Sequence, residues 1–169
     1  MVELTSQTRH PHTTPAQVAE RMRSDAYLSA LCDALDMVSA IEVIHTQTSG
    51  ARLERTTRYT APTAGKIPSF LKKYEDRAPA LVHWEERGVW DLHTHTLSYT
   101  IAPDIPPHWN KHLHNEGTLT LTADGDDTIM RVHVSYAVKL FGLGAVIERA
   151  LKPEVQRILD LQGQVAVSL

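Results

Sequence analysis

Gly117-Thr118-Leu119-Thr120-Leu121-Thr122-Ala123-Asp124-Gly125-Asp126-Asp127-Thr128-Ile129-Met130-Arg131-Val132-His133-Val134-Ser135-Tyr136-Ala137-Val138 decides the fold, together with the run from Leu143 to Val167 that follows it. Leu119 and Leu121 alternate with threonines, and Met130, Val132, Val134, Tyr136 and Val138 alternate with Arg131, His133 and Ser135. A period of two means one buried and one wet face of a sheet. Asp124-Gly125-Asp126-Asp127 supplies the turn, since Gly accepts positive φ and Asp tolerates it. The two segments are therefore expected to form a hairpin.

Beyond Gly142 the period changes. Leu143, Val146, Ile147, Ala150, Leu151, Val155, Ile158, Leu159, Gln162, Val165 and Ala166 recur at spacings of three and four, one apolar stripe along about seven helical turns. Pro153 falls inside it, with no N–H for the carbonyl of Arg149, and predicts a kink near 149–153. A helix of this length needs an apolar surface of its own length, which a curled antiparallel sheet provides. That pairing defines the α+β class expected here.

Working outward, Val2 to His10 reads as a first strand with few apolar residues, an edge or the lining of a partly polar interior. Thr14-Pro15-Ala16-Gln17 predicts a helix start with Thr14 as N-cap, Pro15 in the first turn and Gln17 closing a capping box. Ser24-Asp25 begins a second short helix. Strand texture then runs from Met37: Ile41, Val43 and His45 are read on one face, and Ser49-Gly50 turns into 52–61. Pro62 to Pro68 reads as a loop, and 69–74 as a helical turn or two. Strands resume at 80–86 and 89–101 with Arg87-Gly88 as their connection, and Pro103, Pro106 and Pro107 mark a longer loop.

This order is strand, two helices, six or so antiparallel strands and a long C-terminal helix. With Gly117-Thr118-Leu119-Thr120-Leu121-Thr122 and Val138-Lys139-Leu140-Phe141-Gly142-Leu143-Gly144-Ala145-Val146-Ile147-Glu148, it resembles the START/Bet v 1-like (SRPBCC) superfamily with its helix-grip fold. Ile67-Pro68-Ser69-Phe70-Leu71 strengthens the likeness to a bacterial branch classed as a domain of unknown function. The resemblance implies a curved sheet of about seven strands gripping the last helix around a cavity for apolar or amphipathic molecules. It implies no catalytic residue, because superfamily members include lipid carriers, hormone receptors and cyclases.

The 169 residues suit a single domain, 1–169. A net charge of -3 and a pI near 6.3 give no electrostatic case for nucleic acid. Cys32 is the sole cysteine, which excludes an internal disulfide and predicts a cytoplasmic setting. No apolar run reaches the roughly 18–20 residues of a membrane span, and no signal-peptide core is read at the N-terminus.

Ten histidines raise the question of a metal. His93-Thr94-His95 and His112-Leu113-His114 each place two imidazoles on one face of a strand, about 6.5–7 Å apart at Cα. Their parity differs: His93 and His95 go with Leu97, Tyr99 and Ile101 inward, while His112 and His114 alternate with Leu113 and point outward. The pairs also begin adjacent antiparallel strands, at opposite ends. Neither a metal site nor a cofactor is therefore expected. Gly142-Leu143-Gly144 lacks the glycine triplet and acidic residue of a dinucleotide site, and Cys32 reads as a small core side chain. Acid–base dyads drawn from Glu54, Glu86 or Asp91 with a histidine are not selected by spacing.

Given the cavity that the resemblance implies, the expected ligand-facing set is His45, Trp84, His93, His95, Leu97, Tyr99 and Tyr136 from the strands, with Leu143, Val146, Ile147 and Ala150 from the helix. The partner is a small apolar or amphipathic, lipid-like molecule enclosed between the sheet and Leu143 to Ile158. Two further readings stand beside this carrier: a cyclase-like or hydrolytic enzyme using His93, His95 or Tyr99 as acid or base, and an interaction module using the outer sheet face or a homodimer contact.

Overall fold

The computed structural model describes residues 1–61 and 83–169. In chain order the elements are β1 (Val2–His10), α1 (Pro15–Arg23), α2 (Asp25–Ala34), β2 (Ala40–Ser49), β3 (Arg52–Thr60), β4 (His83–Asp91), β5 (Thr96–Pro103), α3 (Pro107–Asn110), β6 (Leu113–Asp124), β7 (Asp127–Val138) and α4 (Gly144–Ser168). The strands form one antiparallel sheet in the order β1-β7-β6-β5-β4-β3-β2, with α4 against its curved inner face. This is the helix-grip arrangement. The expected loop at 62–68, the helical turn at 69–74 and the first residues of the strand at 80–86 lie outside the described residues.

The hairpin forms as its alternation requires. β6 pairs with β7 from Leu113↔Val138 to Asp124↔Asp127, and Gly125 turns with φ +63°. Leu119, Leu121, Met130, Val132 and Val134 are buried on the inner face. The Thr14 capping box is present in full: the Thr14 hydroxyl accepts from the Gln17 N–H at 3.3 Å, and the Gln17 side chain accepts from the Thr14 N–H at 2.8 Å.

The core is densest where α1, α2 and the C-terminal half of α4 meet the sheet. Val18, Ala19 and Met22 of α1, Leu28 and Leu31 of α2, and Leu159, Val165 and Ala166 of α4 are buried there against Leu4, Leu119 and Val132. Gly163 brings α4 close to β1, because a Cβ on it would collide with the Thr8 side chain. The first turns of α4 differ: Val146 is 49% exposed. Pro153 lies inside the helix, among these less buried turns.

Two sequence expectations are corrected. Arg87-Gly88 is not a connection, since β4 runs through both residues and Gly88 pairs with Tyr99. Gly88 serves close packing: a Cβ there would stand 2.9 Å from Leu97 Cδ1. The turn falls instead at 92–95, where the Asp91 carboxylate accepts from the backbone N–H of His93 at 2.8 Å and of Thr94 at 3.0 Å, an aspartate turn. The other correction is on β2, where a bulge between Val43 and His45 inserts Ile44. The extra residue inverts the alternation, so His45 leaves the face of Ile41 and Val43.

Candidate functional site

Register builds the inner face of the sheet. On β4, Trp84, Glu86, Gly88 and Trp90 share one face, opposite Tyr59, Thr57, Arg55 and Leu53 of β3 and Pro103, Ile101, Tyr99 and Leu97 of β5. Between this face and α4 lies a hollow of about 310 Å³. From α4 it is lined by Leu151, Val155, Ile158, Leu159 and Gln162, an i, i+4, i+7, i+8, i+11 stripe. Leu35, Met37 and Val38, which follow α2, close one side. The sheet contributes Tyr59, Trp84, Tyr99, Ile101, Val134 and Tyr136 among others. A smaller space of about 30 Å³ shares Tyr59, Glu86, Tyr99 and Gln162 with the hollow and reaches Tyr27, Arg55 and Trp90.

The lining is largely apolar, and the rings of Tyr59 and Trp84 stack 5.6 Å apart at an interplanar angle of 4°. Polar side chains enter the hollow from Glu86 and Gln162, where it meets the smaller space, and from His114 and Asn115. The Glu86 carboxyl accepts a hydrogen bond from the Tyr59 hydroxyl at 3.4 Å, and the residue, partly buried, lines both the hollow and the smaller space. Burial pushes this carboxyl above the ordinary glutamate range, with the Arg55 charge and the Tyr59 hydrogen bond opposing. The same burial raises the phenols of Tyr27, Tyr59 and Tyr99, and Glu86 raises them further. All three remain protonated donors at neutral pH. Beside them, Trp90 Nε1 and Thr57 Oγ1 are buried without a hydrogen-bond partner among the described residues.

Of the residues expected to face a ligand, Trp84, Tyr99 and Tyr136 line the hollow, and Leu97 lines the smaller space. Tyr136 is oriented by its hydroxyl, which donates to the Glu148 carbonyl at 3.0 Å. His93 and His95 sit in the β4–β5 turn rather than on the inner face, His93 exposed and His95 held at φ +54°. His45 is exposed on the edge strand. Leu143, Val146, Ile147 and Ala150 precede the part of α4 that lines the hollow. That part starts about two turns after Leu143, and Glu148 ties the first turns to the end of β7: its carboxylate accepts from the Val138 N–H at 2.8 Å.

Glu86, Tyr59, Asn115 and Gln162 were not in the expected set. The signal for Glu86 is the alternation Trp84, Glu86, Gly88, Trp90, a charged residue of the same parity as two tryptophans. Reading a turn at Arg87-Gly88 cuts that series in half. Among the described residues, no three His, Cys, Asp or Glu side chains gather as a metal site would need.

A family model described as "Protein of unknown function (DUF2505)" matches residues 6–168. The chain belongs to the DUF2505 family. No curated protein matches it in sequence. Solved structures similar to this DUF2505 chain include TTHA0849 from Thermus thermophilus, at 18% identity and a TM-score of 0.67, covering 99% of this chain and 95% of that one. The Zhui aromatase/cyclase from Streptomyces sp. R1128 is similar at 13% identity and a TM-score of 0.57, covering 97% and 92%. Norcoclaurine synthase from Thalictrum flavum is similar at 12% identity and a TM-score of 0.56, covering 97% and 87%. At these identities the likeness shows a shared fold, the helix-grip arrangement. None of the helices among the described residues is long and apolar enough to cross a membrane.

Proposed function

We propose that this DUF2505 chain is a non-enzymatic binder or carrier that encloses a small apolar or amphipathic, lipid-like molecule between the sheet and α4. The observation that carries this reading is the hollow of about 310 Å³ walled by Leu151, Val155 and Ile158 on one side and Tyr59, Trp84 and Tyr99 on the other. Its volume stands at the small end of ligand pockets, which run from about 300 to 1,000 Å³. Apolar walls favour transfer of a guest out of water by roughly 25 cal/mol per Å² buried. Of the residues the acid–base alternative would use, His93 and His95 lie in the β4–β5 turn and Tyr99 lines the hollow. The reading takes residues 1–169 as one domain acting in the cytoplasm.

Native mass spectrometry of freshly purified protein tests it. A bound small molecule released on activation is the expected result. Protein free of any adduct that also fails to enhance the fluorescence of 8-anilinonaphthalene-1-sulfonate would count against a binding cavity.

A further inference from the structure

We infer that Glu86 is the anchor for a hydroxyl group on the guest, so that the preferred ligand is a neutral, hydroxyl-bearing molecule with a flat apolar body. This rests on the cavity reading above and adds the chemistry of its inner end. The carboxyl of Glu86 has one side-chain hydrogen bond among the described residues, from Tyr59 at a long 3.4 Å. A pure hydrocarbon filling the hollow would strip the carboxyl of water and return nothing, a loss that buried polar groups avoid by pairing. A hydroxyl supplies the missing partner.

The neighbouring groups narrow the choice further. An anionic guest would set its oxygens against the lone pairs of the Glu86 carboxyl, and a cationic guest would stand beside the Arg55 guanidinium, which lines the same smaller space. Trp90 Nε1, 1% exposed as a residue and unpartnered among the described residues, is a donor beside the smaller space that Glu86 also lines. A hydroxyl can give its hydrogen to Glu86 and accept from such a donor, which an ether or ketone cannot do. The stacked pair Tyr59–Trp84 offers a planar wall to the body of the guest.

The test is calorimetric or fluorescence titration of the full chain with 2-naphthol, naphthalene and 2-naphthoate. Wild type is expected to bind 2-naphthol about tenfold tighter than naphthalene, the gain of one buried hydrogen bond, and to bind 2-naphthoate weakest. In Glu86→Leu the hydroxyl preference should fall to within about twofold while naphthalene still binds; a shape-similar apolar residue replacing a buried charge is commonly tolerated. Tyr59→Phe, which keeps the ring but takes away the carboxyl's own donor, should sharpen the preference, and it gives the readout if Glu86→Leu does not fold. Equal binding of naphthol and naphthalene by wild type, or a preference that survives Glu86→Leu, overturns the anchor and leaves the cavity standing. Failure of all three probes to bind wild type overturns the cavity reading itself.

Discussion

The aromatic ring of Tyr99 lies across Gly117 on the neighbouring strand, in the space that a side chain at Gly117 would occupy. The contact couples β5 to β6 and sets where the Tyr99 ring stands at the edge of the hollow. A Cβ at Gly117 would overlap the phenol carbon and oxygen, so the ring would have to move. Gly117→Ala is expected to destabilise by about 1–3 kcal/mol, the usual cost of overpacking a well-filled site. Urea denaturation measures it. In a Tyr99→Ala background the same substitution should cost much less, because the residue it collides with is gone.

Val155 and Ile158 present their side chains to the hollow from one face of α4. Val155→Trp should therefore fill space instead of displacing packed core. Dye binding is expected to drop at least about tenfold, with a stability change under about 1.5 kcal/mol, as for a substitution that leaves packing volume unstrained. Unchanged dye binding would place the dye elsewhere on the protein.

His10 is wholly buried at the end of β1, and neither ring nitrogen has a hydrogen-bond partner among the described residues. Burial and then the Arg21 charge lower its pKa. With the folded value below the unfolded one, near 6.5, the unfolded chain takes up the proton first. His10 thus contributes stability that is present above about pH 6.5 and is lost as pH falls towards the folded value. The urea midpoint should decline as pH falls below about 6.5 in wild type, and His10→Phe should flatten that decline.

His95 holds a positive φ of 54° in the β4–β5 turn. Glycine adopts that conformation without steric cost. His95→Gly is expected to be neutral or stabilising by up to about 1 kcal/mol in thermal denaturation, and His93→Ala should leave guest binding unchanged. A loss of binding in either variant would return the histidine pair to the site.

The β6–β7 hairpin and the long helix were legible because each writes its own period. Leu119 and Leu121 alternate before the Asp124–Asp127 turn and Met130 to Val138 after it, and the stripe from Leu143 to Ala166 repeats at helical spacing. The capping box at Thr14 is equally local, four residues whose chemistry needs nothing distant. The site was less legible. Gly88 carries a turn signal, yet the crowding of Leu97 from the next strand makes it a packing position, and so Glu86 was separated from the strand that turns it inward.

Sequence by itself determined the order of the elements and the apolar stripe of α4, since these follow from local spacing and propensity, and the helix-grip class came with the resemblance that this order carries. Only the tertiary structure decided which stretch of that stripe faces open space, that a bulge at Ile44 turns His45 away, and that Asp91 closes a turn around His93 and His95. The reason is geometric. Alternation assigns a side chain to one of two faces of its own strand, while pairing register, bulges and the seating of the helix determine which face encloses a space.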